Sequence, residues 1–393
     1  MVNLRIYVHD LQKTIGHSRA LIELLSRYPA SEVESITIVS FTCDDFKEIF
    51  PQLSVKVHWV RVPFSNLSPV LLKIFFYHLY CLIDMFFHVK ERTQTLSIGI
   101  ANPLCSIIYL QFVHSQWRSR YFKTLPRNPL KRIYKMGLYF YLCAVEQIFY
   151  RRKNKQFISV AAFISKYVKE KFKQSEQNLH LIYSGHNDTD FSLNQFATRE
   201  EAMNRVKDEA MLSESVIKHE KPIFLFVGAF ERKGLDLAIR WLEPVKEKID
   251  FIVIGKAEEH SHLKTLPGWI RHIEHTKNIA NYYALADHFI FPSTYEPFGL
   301  VLTEAFAMGC SVITNYNEVG ASEVLESYSG VYFLDKAQIN SSDFLKITPW
   351  NQKSEISKER SHRLDEHNWT LKTEQFKLVI RRDSDNSLLS YLP

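Results

Sequence analysis

Two carboxylates set eight residues apart, Glu296 and Glu304, bracket the run Pro297-Phe298-Gly299-Leu300 just after an apolar segment, His288-Phe291. An ionised carboxylate accepts hydrogen bonds from two hydroxyls at once, so a pair of them suits the recognition of a polyol such as a sugar. Between them, a small-residue turn, a glycine and the start of a helical pattern leave backbone N–H groups open to a phosphate or sugar oxygen. The spacing alone also fits a plainer arrangement, with Glu296 capping the helix and Glu304 in solvent.

The elements that would position these groups are legible in the apolar pattern. Leu4-Arg5-Ile6-Tyr7-Val8 reads as a first strand, followed by short apolar runs at Ile36-Phe41, Val55-Val60, Leu96-Ile100, Ile107-Val113, Phe157-Ile164 and Leu179-Tyr183. A second series comprises Ile223-Val227, Phe251-Ile254, His288-Phe291, Ser311-Thr314 and Val331-Leu334, with amphipathic helices such as Leu235-Leu242 and Asn278-Ala286 between. Nearly continuous apolar strands alternating with helices indicate parallel sheets covered on both faces. Two such series predict two doubly wound α/β domains, and place Glu296 in a loop at a strand's C-terminal end, where open α/β sheets bind ligands. A chain of 393 residues is long for one core and supports this division. The polar stretch from about Gly185 to Lys221, with an exposed helix expected near Thr198–Glu209, marks the junction. The expected boundaries are 1–185 for the first domain, 186–375 for the second, and a tail, 376–393, packing back on the first. After about Ser341 the sequence is polar apart from a helix-like run around Trp369-Val379.

The stretch Pro292–Gly309 resembles the E-x7-E motif of the retaining glycosyltransferases of family 4. The resemblance extends to Phe224-Leu225-Phe226-Val227-Gly228 with Arg232-Lys233-Gly234, to Phe251–Gly255, to Asn281–Asp287 and to Glu318-Val319-Gly320 with Glu323. It implies the GT-B fold, two Rossmann-like domains facing each other across a cleft. By motif position, Glu296 would contact donor-sugar hydroxyls and Glu304 the ribose diol, while the amides of Phe298, Gly299 and Leu300 approach the sugar and the β-phosphate. Arg232 and Lys233 would neutralise the departing diphosphate; the bland alternative is a solvated helix start. In the first domain, Tyr109–Val113 followed by His114 resembles the family's strand ending in a cleft-facing histidine that contacts the hexose. Thr14-Ile15-Gly16-His17-Ser18 resembles its glycine-rich loop, with the single Gly16 where a pair is usual. Ala229 stands where the family shows an arginine, and Arg232 is expected to supply that charge.

Aromatic usage of 13% exceeds what a core needs and points to rings at an interface. From Trp117 to Lys155 lie Arg118, Arg120, Lys123, Arg127, Lys131, Arg132, Lys135, Arg151, Arg152, Lys153 and Lys155, interleaved with Tyr121, Phe122, Tyr134, Tyr139, Phe140, Tyr141, Phe149 and Tyr150. Only Glu146 opposes them. That mixture predicts a helix lying in an anionic interface, each basic side chain contributing about 1 kcal/mol near such a surface. A solvated face over a buried aromatic stripe is the alternative, and no nucleic-acid module is recognisable. Val70–Val89 has the length of a membrane span, yet Lys73, His78, Asp84 and His88 interrupt it, and a central Lys or Asp costs roughly 2.5–3.5 kcal/mol. A buried or interfacial helix is expected there.

Five scattered cysteines without a C-x-x-C pair argue against a disulfide framework or zinc site and fit a reducing compartment. Leu4–Val8 reads as a first strand rather than the apolar core of a secretory signal, so no such signal is expected. The resulting expectation is a hexosyltransferase, peripheral on the inner face of the cytoplasmic membrane. It would use a nucleotide-diphosphate sugar, UDP-hexose by family frequency, and a lipopolysaccharide-type or other lipid-linked glycan acceptor, with no metal and no further cofactor. The alternatives are a nucleotide-sugar 2-epimerase of the same fold and an inactive membrane-bound scaffold.

Overall fold

The computed structural model describes residues 1–90, 92–121, 128–210, 219–258, 261–317, 319–336 and 338–386. The chain divides into two compact units, Met1–Gly185 with Trp369–Pro393, and His186–Asn368.

In the first unit, seven parallel strands form one sheet in the order β5-β3-β1-β6-β7-β8-β9. They are β1 (Val2–Tyr7), β3 (Val33–Ser40), β5 (Val57–Arg61), β6 (Thr93–Ile98), β7 (Ile107–Leu110), β8 (Gln156–Ser159) and β9 (Leu179–Leu181). Two short strands, β2 (Asp10–Leu11) and β4 (Thr42–Cys43), pair separately beyond the ends of β1 and β3. Ile6, Ile38, Leu96, Ile107 and Ile158 are wholly buried in the central strands, as expected of a sheet covered on both faces. Two expected strands prove too long by three residues or more. Ile107–Val113 ends at Leu110, and Phe157–Ile164 ends at Ser159, because the apolar residues beyond belong to turns and to the following helices, His114–Tyr121 and Ala162–Phe172.

The second unit has six parallel strands in the order β12-β11-β10-β13-β14-β15. These are β10 (Ile223–Val227), β11 (Asp250–Ile254), β12 (Ile270–Ile273), β13 (His288–Phe291), β14 (Ser311–Thr314) and β15 (Val331–Phe333). Edge strand β12, with sequence IRHI, escapes the apolar pattern because half of its residues are polar. The helix Leu235–Leu242 has the expected bounds, and the next, Ile279–Leu285, is capped by the Asn278 side chain. Arg199–Ala210, expected to be an exposed helix, instead buries Ala202, Met203 and Val206. That spacing lays one face of the helix against Ile279–Leu285.

The tail departs from expectation too. Polar residues 350–364 form a helix, Trp350–Leu364, which buries Lys353, Ser357 and Arg360 by hydrogen-bonding them to carbonyls of Tyr283, Ala307 and Cys310. The chain re-enters the first unit at Trp369, seven residues before the expected 376. The helix Trp369–Asn386 carries Trp369, Phe376, Val379 and Ile380 on one buried face. It packs along Gly16–Ser26, with Thr373 Oγ1 donating to the Leu24 carbonyl at 3.2 Å and Phe376 6.2 Å from the Tyr109 ring.

Candidate active site

In the second unit the ends of β10, β11 and β13 lie side by side, and the chain after each turns sharply. The Gly228 amide donates to Ile254 and the Gly255 amide to Ile273, holding the strand ends in register. After Gly228 a single helical turn, Phe230–Lys233, returns Lys233 over its own strand: a Cβ on Gly228, whose φ is +135°, would stand 2.9 Å from Lys233 Cγ. Lys233 is buried and forms an ion pair with Glu296, each side chain being 11% exposed, and its ammonium lies 5.1 Å over the Phe291 ring. Burial pushes the Lys233 pKa well below its ordinary value, and the neighbouring Arg232 adds to the shift.

The loop after β13 is fixed from several sides. Ser293 Oγ donates to the Arg232 carbonyl at 3.2 Å, and Asn315 Nδ2 donates to the carbonyls of Pro292 and Ser293. The Glu296 carbonyl accepts from Gly320 at 3.0 Å and the Phe298 carbonyl from Ala321 at 2.7 Å, so the loop is stitched to the helix Gly320–Leu325. Gly299, at φ +92°, is the N-cap of the helix Leu300–Ala307, and a Cβ there would lie 2.9 Å from Glu296 Cγ. Glu296 therefore does not cap this helix. Its carboxylate is turned to Lys233, and the turn beside it is open only because residue 299 lacks a side chain. Phe298 is buried, whereas Gly299 and Leu300 are half-buried at the helix start.

Glu304 is not in solvent either. It is 3% exposed, and Tyr283 Oη donates to its Oε2 at 3.3 Å. Lys233, Glu296 and Gly299 are thus brought together, with Arg232 exposed beside them and Glu304 inside the helix that Gly299 opens. Glu318 lies outside the described residues. Ser293 and Asn315, which hold the loop, were invisible in the sequence because their contacts are to backbone. Among the described residues no group of three or more His, Cys, Asp or Glu is placed to hold a metal ion.

In the first unit, Gly16 opens the helix Gly16–Ser26, and a Cβ there would meet nothing within 4 Å, so sterics do not demand glycine. His114 stands not at the end of β7 but four residues later, as the first residue of His114–Tyr121. Glu146, wholly buried, accepts from the amides of His114 at 2.6 Å and Ser115 at 2.8 Å, and its Oε1 lies 3.1 Å from His114 Nδ1. A carboxylate at a helix N-terminus satisfies orphan amides and the dipole together, and here it also orients the imidazole. The sequence signal for Glu146 was its solitude among cations.

The basic–aromatic stretch is not one helix. It includes His114–Tyr121 and Pro129–Phe149, the latter capped by Asn128. Lys131, Arg132, Arg151, Arg152 and Lys153 are exposed, but Lys155 is buried and donates to the Cys105 carbonyl at 2.6 Å, and Trp117 and Tyr150 belong to the core. Phe122, Lys123 and Arg127, and the side chains of Arg120 and Tyr121, lie outside the described residues.

Residues 207–343 match the family model described as glycosyl transferases group 1. The chain is 26% identical over 223 residues to an uncharacterized glycosyltransferase of Methanocaldococcus jannaschii, covering 54% of this chain and 52% of that one. It is 30% identical over 172 residues to an uncharacterized 41.2 kDa protein in the cps region of Klebsiella pneumoniae, covering 41% and 46%. The chain thus spans about half the length of the curated relatives it matches. Among solved structures, WaaG, a glycosyltransferase involved in lipopolysaccharide biosynthesis, superposes with a TM-score of 0.65 at 13% identity, covering 98% of this chain and all of that one. Anabaena HepE in complex with UDP and glucose gives 0.62 at 13%, with 97% and 100% covered. Sucrose-phosphate synthase from Thermosynechococcus elongatus gives 0.68 at 14%, with 97% and 99% covered. The second unit thus carries a stretch that matches the glycosyl transferases group 1 family, and the chain shares the GT-B fold of these structures.

Proposed function

We propose that this chain transfers a hexose from a nucleotide-diphosphate sugar, with retention of configuration, to a lipid-linked glycan at an anionic membrane surface. The observation that carries this reading is the Lys233–Glu296 pair, set between Gly228 and Gly299 where parallel strands end. A buried ammonium whose proton is loosened by burial gains most from an anion that enters beside it, and a diphosphate is such an anion. Once Lys233 turns to the diphosphate, Glu296 is released to accept hydrogen bonds from sugar hydroxyls. Glu304, held by Tyr283, is assigned to the ribose. Arg232 and Lys233 stabilise the charge that develops on the leaving group, which takes the acceptor's proton; no protein nucleophile is assigned. His114, oriented by Glu146, is assigned to the hexose.

Uridine and glucose are supported by the UDP and glucose found with HepE, and a lipid-linked acceptor by the role of WaaG in lipopolysaccharide biosynthesis. The exposed cations at 131, 132 and 151–153 support the membrane surface. Thermal stabilisation by UDP, GDP and their sugars tests the donor. UDP-glucose should raise the melting temperature more than uridine does, and equal shifts would contradict a diphosphate site at Lys233. Sedimentation with phosphatidylglycerol vesicles should weaken as salt rises, whereas equal binding to neutral vesicles at every salt concentration would remove the membrane surface from the proposal.

A further inference from the structure

The helix Val70–His88 lies on the first unit's sheet with Tyr77, His78 and Asp84 turned inward. Tyr77 donates to the carbonyls of Val8 and Val39 at 3.0 and 2.9 Å, and Asp84 accepts from Arg5 Nε at 2.7 Å and Tyr7 Oη at 2.8 Å. His78 is held by Tyr141 Oη at 2.7 Å and the Ile100 carbonyl at 2.8 Å. The apolar residues point the other way: Leu82 is 53% exposed, Ile83 50%, Phe86 82% and Phe87 70%. Such a helix is long and apolar enough to cross a membrane, yet only 17% of it is buried in the fold, and its one acid is tied to the sheet. The neighbouring helix Pro129–Phe149 repeats the inversion, with Glu146 inside and Ile133, Phe140 and Ile148 each more than 60% exposed. In water this arrangement is upside down, and it makes sense only against an apolar medium.

The charge around the two helices says which medium. From residue 70 to 155 the acids are Asp84 and Glu146, both buried, and Glu91, which lies outside the described residues, while Lys90, Arg92, Lys131, Arg132, Arg151 and Arg152 are exposed. Between the helices lies an apolar pocket of about 230 Å³ lined by Phe75, Leu79, Leu82, Tyr141, Val145 and Phe149. Burial pushes the His78 imidazole at its floor down to about 4, which keeps that wall uncharged at neutral pH. Asn102, also on the wall, keeps a buried side-chain amide nitrogen without a hydrogen-bond partner among the described residues, a donor suited to a lipid ester carbonyl.

We infer that Val70–His88 and Pro129–Phe149 insert their outward faces among the acyl chains of an anionic leaflet, without spanning it, and that the pocket between them takes one hydrocarbon chain of a bilayer lipid. This rests on the membrane-surface part of the reading above, and not on the sugar chemistry. Insertion adds an apolar attraction that salt does not screen.

The test uses the whole chain and vesicles of phosphatidylglycerol and phosphatidylcholine carrying a diazirine on one acyl chain. Photolysis should label peptides covering residues 75–82 and 141–149, and some binding should survive at high salt. Phe86→Asp with Phe87→Asp should lower that residual binding by about tenfold or more, while UDP-induced thermal stabilisation stays unchanged. Binding at low salt that vanishes at high salt, with no acyl-chain labelling of these peptides, would overturn insertion and leave surface adsorption intact. No binding at low salt would overturn both. A dimer in solution, abolished by the Phe86→Asp and Phe87→Asp changes, would instead assign the face to a second copy of this chain and overturn the inference.

Discussion

At the scale of single residues, the ion pair between Lys233 and Glu296 and the roles proposed for them in transfer can be separated by mutation. Removing either partner leaves a charge in a site only 11% exposed, so Lys233→Met and Glu296→Gln should each lower stability, by up to about 3–5 kcal/mol. Lys233→Met with Glu296→Gln should recover much of that loss in a thermal melt, yet remain inactive in hexosyl transfer; recovery of activity would rule out the assigned roles. The E-x7-E spacing exposed Glu296 in the sequence because neither acid fits an apolar strand–helix pattern. What the sequence could not carry was orientation. Whether Glu296 caps its helix or meets Lys233 depends on Gly299 adopting φ +92°, and the burial of Glu304 depends on Tyr283 reaching it from another helix.

At the scale of elements, the strands of both sheets were legible wherever both faces are covered, since burial on both sides makes the sequence continuously apolar. Edge strand β12 and the polar helix Trp350–Leu364 were not, because the first is half polar and the second buries lysine, serine and arginine against carbonyls. The strand before His114 reads too long for a related reason: the apolar residues of the following loop continue the strand's pattern past the point where the strand stops. The helix Trp369–Asn386 yields the sharpest energetic expectation. Phe376 is fully buried in the first unit, so Phe376→Ala should cost about 3–5 kcal/mol, measured by denaturant unfolding. A loss below 1 kcal/mol would mean that the helix frays from the unit in solution.

At the scale of the whole molecule, acid should loosen both units. Burial lowers His9 to about 3 and His78 to about 4 in the first unit, and His288 to about 4 in the second. The unfolded chain takes up these protons near the ordinary histidine value of about 6.5, so the folded state is favoured above that pH and loses the advantage as pH falls towards 4. At pH 5 each site should cost about 2 kcal/mol relative to pH 7, read as a falling melting temperature. A flat profile between pH 7 and 5 would contradict the burial of neutral imidazoles. Asp287 acts lower still: burial raises its pKa, but the His219 hydrogen bond and Arg199 outweigh that and bring it to about 2, so its contribution disappears only below the ordinary carboxylate range.

The chain leaves the first unit after Gly185 and returns at Trp369, and at the crossing His186 and Asn368 pair directly, with the His186 amide donating to the His367 carbonyl at 2.8 Å. The second unit is therefore an insert with adjoining ends, drawn from one uninterrupted stretch of polypeptide. Emerging from a ribosome, that insert has its full complement of residues before the surrounding unit does. The sheet of the first unit must wait, with the Gly16–Ser26 helix uncovered, until residues 369–386 are made.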